Sequence, residues 1–208
     1  LNNAFAFEGR NAFTLEAWVR PAARGWMDII SRHTGGVYGN FILALNAAGQ
    51  VSVWREHAPW TWVTDTSANG AVTLNAWSHV AATYDGSKIR IYVNGQLRNE
   101  TLDETAVGAG FTDARVGARG DGWNFYGDLD ELRVWNVART ETQLRMNYRT
   151  TLSGFETGLI GYYRFDEGFG VWAYDLSKET DDTRENMRIS GTVNWITNGD
   201  TPSKTIMV

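Results

Sequence analysis

Cysteine is absent from the 208 residues, so the chain has neither a disulfide to staple a small fold nor a thiolate to bind metal or act as nucleophile. No apolar run approaches the roughly 18 residues that a membrane-spanning helix requires, and membrane insertion is not expected. Positive charge is not gathered anywhere. The 19 Lys and Arg are scattered and outnumbered by 24 Asp and Glu, for a formal net charge of -5. Nucleic acid rewards a clustered basic face and is therefore not an expected partner. Common catalytic signatures are missing too. His33, His57 and His79 show no HExxH or other metal-ligand spacing. There is no Gly-x-Ser-x-Gly elbow and no phosphate-cradling glycine loop. The chain starts at Leu1 rather than Met, as a processed form or an excised piece does, and a signal peptide would not be visible in it.

What the chain has is aromatic residues and alternation. Ten Trp, eight Tyr and nine Phe exceed what a small core usually needs. Indoles serve a core well, but they are also the main side chains for stacking on sugar rings. Phe13, Leu15, Ala17 and Val19 alternate with Thr14, Glu16, Trp18 and Arg20, the pattern of a strand with one buried face. The same period runs through Phe41–Leu45, Val51–Val53, Trp77–Tyr84 and Ile89–Val93. Asp85-Gly86 and Asn94-Gly95 flank the last of these as hairpin turns. Further strands are expected at Arg115–Gly117, Leu129–Trp135, Leu159–Phe165 and Thr192–Ile196. A single helix is expected, because Thr140-Glu-Thr-Gln143 spells a capping box, and it should run to about Arg149. Many short strands with one helix, no repeat and no linker predict an all-β, two-sheet antiparallel β-sandwich in one domain over residues 1–208.

Four segments carry a resemblance. FTLEAWVRP (Phe13–Pro21), LNAWSHVAATYDGSKIRIYVNGQL (Leu74–Leu97), GDLDELRVWNVARTETQL (Gly127–Leu144) and GLIGYYRFDEGFGVWAYDLS (Gly158–Ser177) resemble, in order, the laminin-G-like, concanavalin A-like jelly-roll family. The resemblance implies a jelly roll related to pentraxins and legume lectins. It also implies a lectin-like, non-catalytic carbohydrate-binding module at the cell surface or outside the cell. A protein-interaction or spacer module and a glycan-cleaving enzyme are the alternatives, since one fold hosts many functions. Retaining glucanases of this fold carry Glu-x-Asp-x-x-Glu on one strand, with the two acids about 5 Å apart. That motif does not occur here. Where the family begins with a Phe-Asp-Gly strand, this chain offers only FAFEG within Leu1–Gly9.

Two candidate sites follow. Asp130 lies on the parity of Leu132 and Val134, and a buried carboxylate needs a cation or several hydrogen bonds. The resemblance places a structural Ca²⁺ there, with Glu8 and Gly9 as N-terminal partners, and calcium accepts six to eight oxygens in loose geometry. The ligand site is expected among polar-aromatic loops at one end of the sandwich, namely Trp60 and Trp62, Asp121, Trp123 and Asn124, and Tyr38 with Arg32, His33 and Asn40. Trp60 and Trp62 at i, i+2 point to one side if the chain is extended there. Glycan is the expected partner, with protein the alternative.

Overall fold

The computed structural model describes residues 12–34, 37–58, 61–67, 71–108, 110, 112–119, 122–177, 186–191 and 193–196, together with Phe5 and Phe7. In chain order its elements are β1 (Phe13–Pro21), β2 (Met27–Thr34), β3 (Val37–Leu45), β4 (Val51–Ala58), β5 (Thr61–Thr66), β6 (Ser78–Tyr84) and β7 (Lys88–Val93). Then follow β8 (Gln96–Leu102), β9 (Arg115–Val116), β10 (Gly127–Trp135), α1 (Glu141–Asn147), β11 (Leu159–Tyr163), β12 (Trp172–Ala173) and β13 (Met187–Arg188). They form a six-stranded sheet in the order β11-β10-β1-β6-β7-β8 and a five-stranded sheet in the order β5-β4-β3-β2-β9. Every pairing is antiparallel. This is the expected all-β sandwich with one short helix.

Alternation decides which side chains meet between the sheets. Phe13, Leu15, Ala17 and Val19 of β1 face Phe41, Leu43 and Leu45 of β3 and Val51 and Val53 of β4 in one apolar core. Phe7 stacks on Phe13 with ring centroids 4.8 Å apart, and Phe41 and Tyr84 pack against the same rings. Each such side chain contributes about 1.5–3 kcal/mol on leaving water.

The other face of β1 is buried as well, contrary to the one-faced strand that alternation suggests. Helix α1 and the chain around it cover that face. Thr140 caps α1 as expected, accepting from the Gln143 backbone N–H at 3.2 Å while the Gln143 side chain accepts from the Thr140 N–H at 2.9 Å. Leu144 inserts against Ala81 and Tyr92. The helix ends at Asn147, two residues before Arg149, because side chains from the sheet satisfy its last carbonyls. Arg133 donates to the Asn147 carbonyl at 3.1 Å, and the Trp18 indole N–H donates to that of Tyr148 at 2.7 Å. Gly95, at φ +72°, completes the β7–β8 turn, and a Cβ there would meet the Arg145 backbone at 3.0 Å. Left-handed backbone and close helix approach both require glycine at that turn.

Other expectations need correcting. Residues 193–196 form no strand, and Thr192 lies outside the described residues. The edge of β11 that such a strand would use is occupied by residues 175–176. Leu176 N–H donates to the Tyr162 carbonyl at 2.8 Å, and Asp175 accepts from the Tyr162 N–H at 2.9 Å. Arg32, His33, Tyr38 and Asn40 are not loop residues but belong to the paired strands β2 and β3. Trp62 likewise sits in β5, opposite Glu56, rather than in a loop.

Candidate functional site

Two faces of the sandwich concentrate polar and aromatic side chains outside the core. The first is the outer face of the six-stranded sheet, where β1, β6, β10 and β11 present Glu16, His79, Glu131, Arg133, Trp135 and Tyr162. Glu16 Oε2 lies 2.9 Å from His79 Nε2, and Glu16 Oε1 accepts from the Trp135 indole N–H at 2.8 Å. Glu131 accepts from Arg133 at 2.7 Å and from the Tyr162 hydroxyl at 2.8 Å. Arg133 also donates to the Thr150 carbonyl at 2.6 Å. Burial pushes the Glu16 carboxyl up, but the His79 hydrogen bond, the Arg133 charge and the Trp135 N–H outweigh it and hold the group at about 2. These groups are fully enclosed, and their partners include the residues that dock α1. The cluster fastens the helix to the sheet and offers a ligand no surface.

Asp130 sits at the entrance to this strand. Glu16 pairs with Arg133 and Trp18 with Asp130, so two residues of β10 oppose Ala17 in a bulge, and Glu131 takes a left-handed φ of 49°. Leu129 and Leu132 consequently both pack on the core. Asp130 is buried by other means than simple alternation. Its Oδ1 accepts from the Glu131 N–H at 2.9 Å, whereas its buried Oδ2 has no hydrogen-bond partner among the described residues. Burial, with the neighbouring Glu131 and Asp166 charges, raises this carboxyl to about 7. An orphaned, buried carboxylate oxygen suits a cation that takes oxygen ligands. Glu8 and Gly9, the expected partners, lie outside the described residues. No group of three or more His, Cys, Asp or Glu among the described residues is arranged to hold a metal, so carbonyls would have to supply the other ligands.

The second face is the outer side of the five-stranded sheet. Strand register lays out two rows across it. Arg115, Ser31, Ile42, Trp54 and Thr64 form one, and Asp28, Ala44, Ser52 and Thr66 the next. Ile42, Ala44 and Ser52 point away from the core by strand parity yet are buried, so this face too is covered. Trp54 belongs to a layer of indoles there by strand parity, alternating with the core residues Val51 and Val53. Trp26 enters just before β2, and its ring lies 5.3 Å from Trp54 and 5.2 Å, stacked, from Trp123. Trp62 closes the group at 6.4 Å from Trp54, with His33 edge-on to it at 5.0 Å. The Arg119 guanidinium lies over Trp123 at 3.7 Å, and its Nε is 3.8 Å from Asp28 Oδ2. Trp26 is 40 % exposed, and the other three indoles are partly exposed.

The structure thus brings two expected ligand residues, Trp62 and Trp123, into one cluster, and places exposed Asn124 beside Trp123. Trp60 and Asp121 lie outside the described residues, as does the side chain of Tyr38. Arg32 and Asn40 are fully buried and bonded to each other, Arg32 also donates to the Thr112 carbonyl at 2.9 Å and Asn40 to that of Gly108 at 2.5 Å, so they hold neighbouring backbone instead of facing a ligand. Sequence reasoning missed Trp26 and Trp54 as site residues. The parity of Trp54 was a usable signal, while nothing local marked Trp26.

Comparison with known proteins agrees with this architecture. A family model of the laminin-G type, described as the concanavalin A-like lectin/glucanases superfamily, matches residues 1–145. Mouse pappalysin-1 is 26 % identical over 175 residues, covering 68 % of this chain and 10 % of that protein. The chain therefore spans about a tenth of the length of the curated relatives it matches. A candidate carbohydrate-binding protein from Bacteroides ovatus superposes with a TM-score of 0.64 at 25 % identity, covering 90 % of this chain and 56 % of that one. The CBM40 domain of the Ruminococcus gnavus IT-sialidase, solved with α2,3-sialyllactose, gives 0.58 at 17 % identity over 66 % of this chain and 82 % of its own. Domain 4 of an extracellular arabinanase from Geobacillus stearothermophilus, solved with arabinotriose, gives 0.52 at 19 % identity over 66 % of each chain.

Proposed function

Since the chain belongs to the concanavalin A-like lectin/glucanases superfamily, we propose that it is a non-catalytic carbohydrate-binding module of a larger extracellular or surface protein. The glycan lies against the indole layer on the outer face of the five-stranded sheet. The observation that carries this reading is the packing of Trp26, Trp54, Trp62 and Trp123 on a face that the core does not need, with Trp26 open to solvent. Flat indole faces cover the axial C–H groups of a sugar ring, and a rigid sheet presents them with little ordering cost. Trp123 is already stacked by Trp26 and Arg119, so Trp26 offers the most free ring area. Asn124, next to Trp123 in sequence, supplies hydrogen bonds to hydroxyl groups, and Asp121, outside the described residues, would add to them. The carbohydrate-binding domains among the structural neighbours support the reading.

A glycan-array screen of the intact chain tests it, repeated with Trp26→Ala. Binding that Trp26→Ala weakens about tenfold to a hundredfold, with melting nearly unchanged, supports the site. Catalysis is not part of the proposal, because the enclosed acids Glu16 and Glu131 are committed to the clasp on α1. Calcium is. Asp130 would hold it through Oδ2, with Glu8 and Gly9, which lie outside the described residues, as the expected N-terminal partners, and the ion would supply structural stability and no chemistry.

A second reading, as a protein-contact module, draws on a different observation. Phe169, Val171, Trp172 and Tyr174 are all exposed, at 44–82 % of their surface, around the β12–β13 pair. Runs of exposed large apolar side chains mark contact surfaces. Self-association or pull-down of a partner that Phe169→Ser abolishes, without glycan binding by the intact chain, would favour it.

A further inference from the structure

Large apolar side chains open to water concentrate in one stretch of the chain. Phe169, Val171, Trp172, Tyr174, Leu176 and Val193 are 39–82 % exposed. They share one surface, because the two segments that carry them are bonded together. β12 pairs with β13, Trp172 opposite Arg188 and Ala173 opposite Met187. Beside that pairing the Ile189 N–H donates to the Val171 carbonyl at 2.8 Å, and the Trp195 indole N–H donates to that of Gly170 at 3.0 Å. Ala173 turns inward and Met187 packs on the core, so alternation sends Trp172 and Tyr174 outward. Leu176 follows where residues 175–176 line the edge of β11.

The open area of these six side chains is on the order of 600 Å², taking about 150–250 Å² for a whole aromatic side chain. The largest apolar patch on a monomer usually reaches about 300–600 Å², so this one stands at the top of that range. Two such patches face to face remove about 1,200 Å² from water, the area at which specific, stable interfaces begin. The rim suits the same arrangement. Glu167 is held at the patch by accepting from the Tyr174 N–H at 2.8 Å, and Arg188 is exposed opposite Trp172. A two-fold axis sets each patch on its own copy, so a rim of both signs meets opposite charges where a rim of one sign would repel itself. We infer that the chain forms a two-fold dimer through this surface, with Phe169 and Trp172 as its aromatic anchors. The inference rests on the reading of the β12–β13 surface as a contact surface, and names a second copy of the chain as what covers it. An interface of this size gives a Kd of about 1–100 µM.

Sedimentation velocity of the intact chain from about 1 to about 500 µM tests it, with Phe169→Ser and Arg188→Glu alongside. The wild type should pass from monomer to dimer across this range. Phe169→Ser removes the most exposed of the rings, and should weaken the dimer about tenfold or more while leaving the melting temperature in dilute solution within a few degrees. Arg188→Glu gives the rim a single sign, and should weaken the dimer about threefold at low salt and less at high salt. A wild type that stays monomeric throughout overturns the inference, as does a dimer that Phe169→Ser leaves intact. Assemblies that grow past the dimer overturn the two-fold arrangement. In the monomeric case, binding of anilinonaphthalene sulfonate separates the inference from the contact reading. Dye bound by the wild type and lost with Phe169→Ser leaves the surface open to a different partner, whereas no dye binding by the wild type removes the contact reading as well.

Discussion

Replacing Asp130 by Asn should stabilise the protein in chelator above neutral pH and make it insensitive to calcium. The carboxyl is nearly inaccessible, one oxygen is orphaned, and its pKa stands at about 7 against 3.8 for the free side chain. A group raised in the folded state favours folding while protonated. Without a cation, stability should therefore fall as pH rises from about 4 through about 7, and the full penalty should persist above that. At about 1.4 kcal/mol per pKa unit, the penalty is on the order of 4 kcal/mol. Asparagine keeps the acceptor for the Glu131 N–H and removes the charge, so it should recover much of that penalty. A cation bound only by the folded wild type adds stability by mass action instead. The assay is thermal unfolding of both proteins from pH 4 to 9, each with chelator and with millimolar calcium. The wild type should lose stability with pH in chelator and regain it in calcium, and Asp130→Asn should do neither. A wild-type melting temperature that ignores both pH and calcium across this range would refute the reasoning.

Other outcomes follow from the clasp and the caps. Glu16, held at about 2, contributes stability that is present above about 4.5 and lost as pH falls toward 2. Glu16→Gln should cost about 3 kcal/mol at pH 7 and flatten acid unfolding, read by circular dichroism. Thr140→Ala removes the cap of a helix that must dock by Leu144, and should lower stability by about 1 kcal/mol in denaturant melts without touching ligand binding. Gly95→Ala should destabilise by more than that, because φ +72° and the Arg145 backbone both oppose a Cβ.

How much of this was legible in sequence depended on how local the cause was. The capping box of Thr140 and Gln143 and the Asn94-Gly95 turn are complete within a few residues and stood as expected. The alternation of β1 was legible, but the burial of Glu16 and Thr14 was not, because their partners lie about 120 residues away: Val137 and Arg139 bond Thr14, and the Trp135 indole bonds Glu16. The bulge at Asp130–Glu131 breaks a parity that reads as regular on paper. Trp62 was read as a loop residue, since neither its pairing with Glu56 nor its contact with His33 leaves a local mark. Trp26 and Trp123 enter the indole layer from segments between strands, and only the meeting of β2 with the chain after β9 brings them together.

The central claim is that the indole layer is a binding face and not a second core. Calorimetric titration of oligosaccharides into the wild type and Trp26→Ala, with thermal melts of both, addresses it most directly. Losing a stacked, surface indole should weaken binding by about 1–3 kcal/mol and leave the melting temperature within a few degrees. A loss of about 3–5 kcal/mol in folding stability, the cost of truncating a core tryptophan, with glycan affinity unaltered, would contradict it.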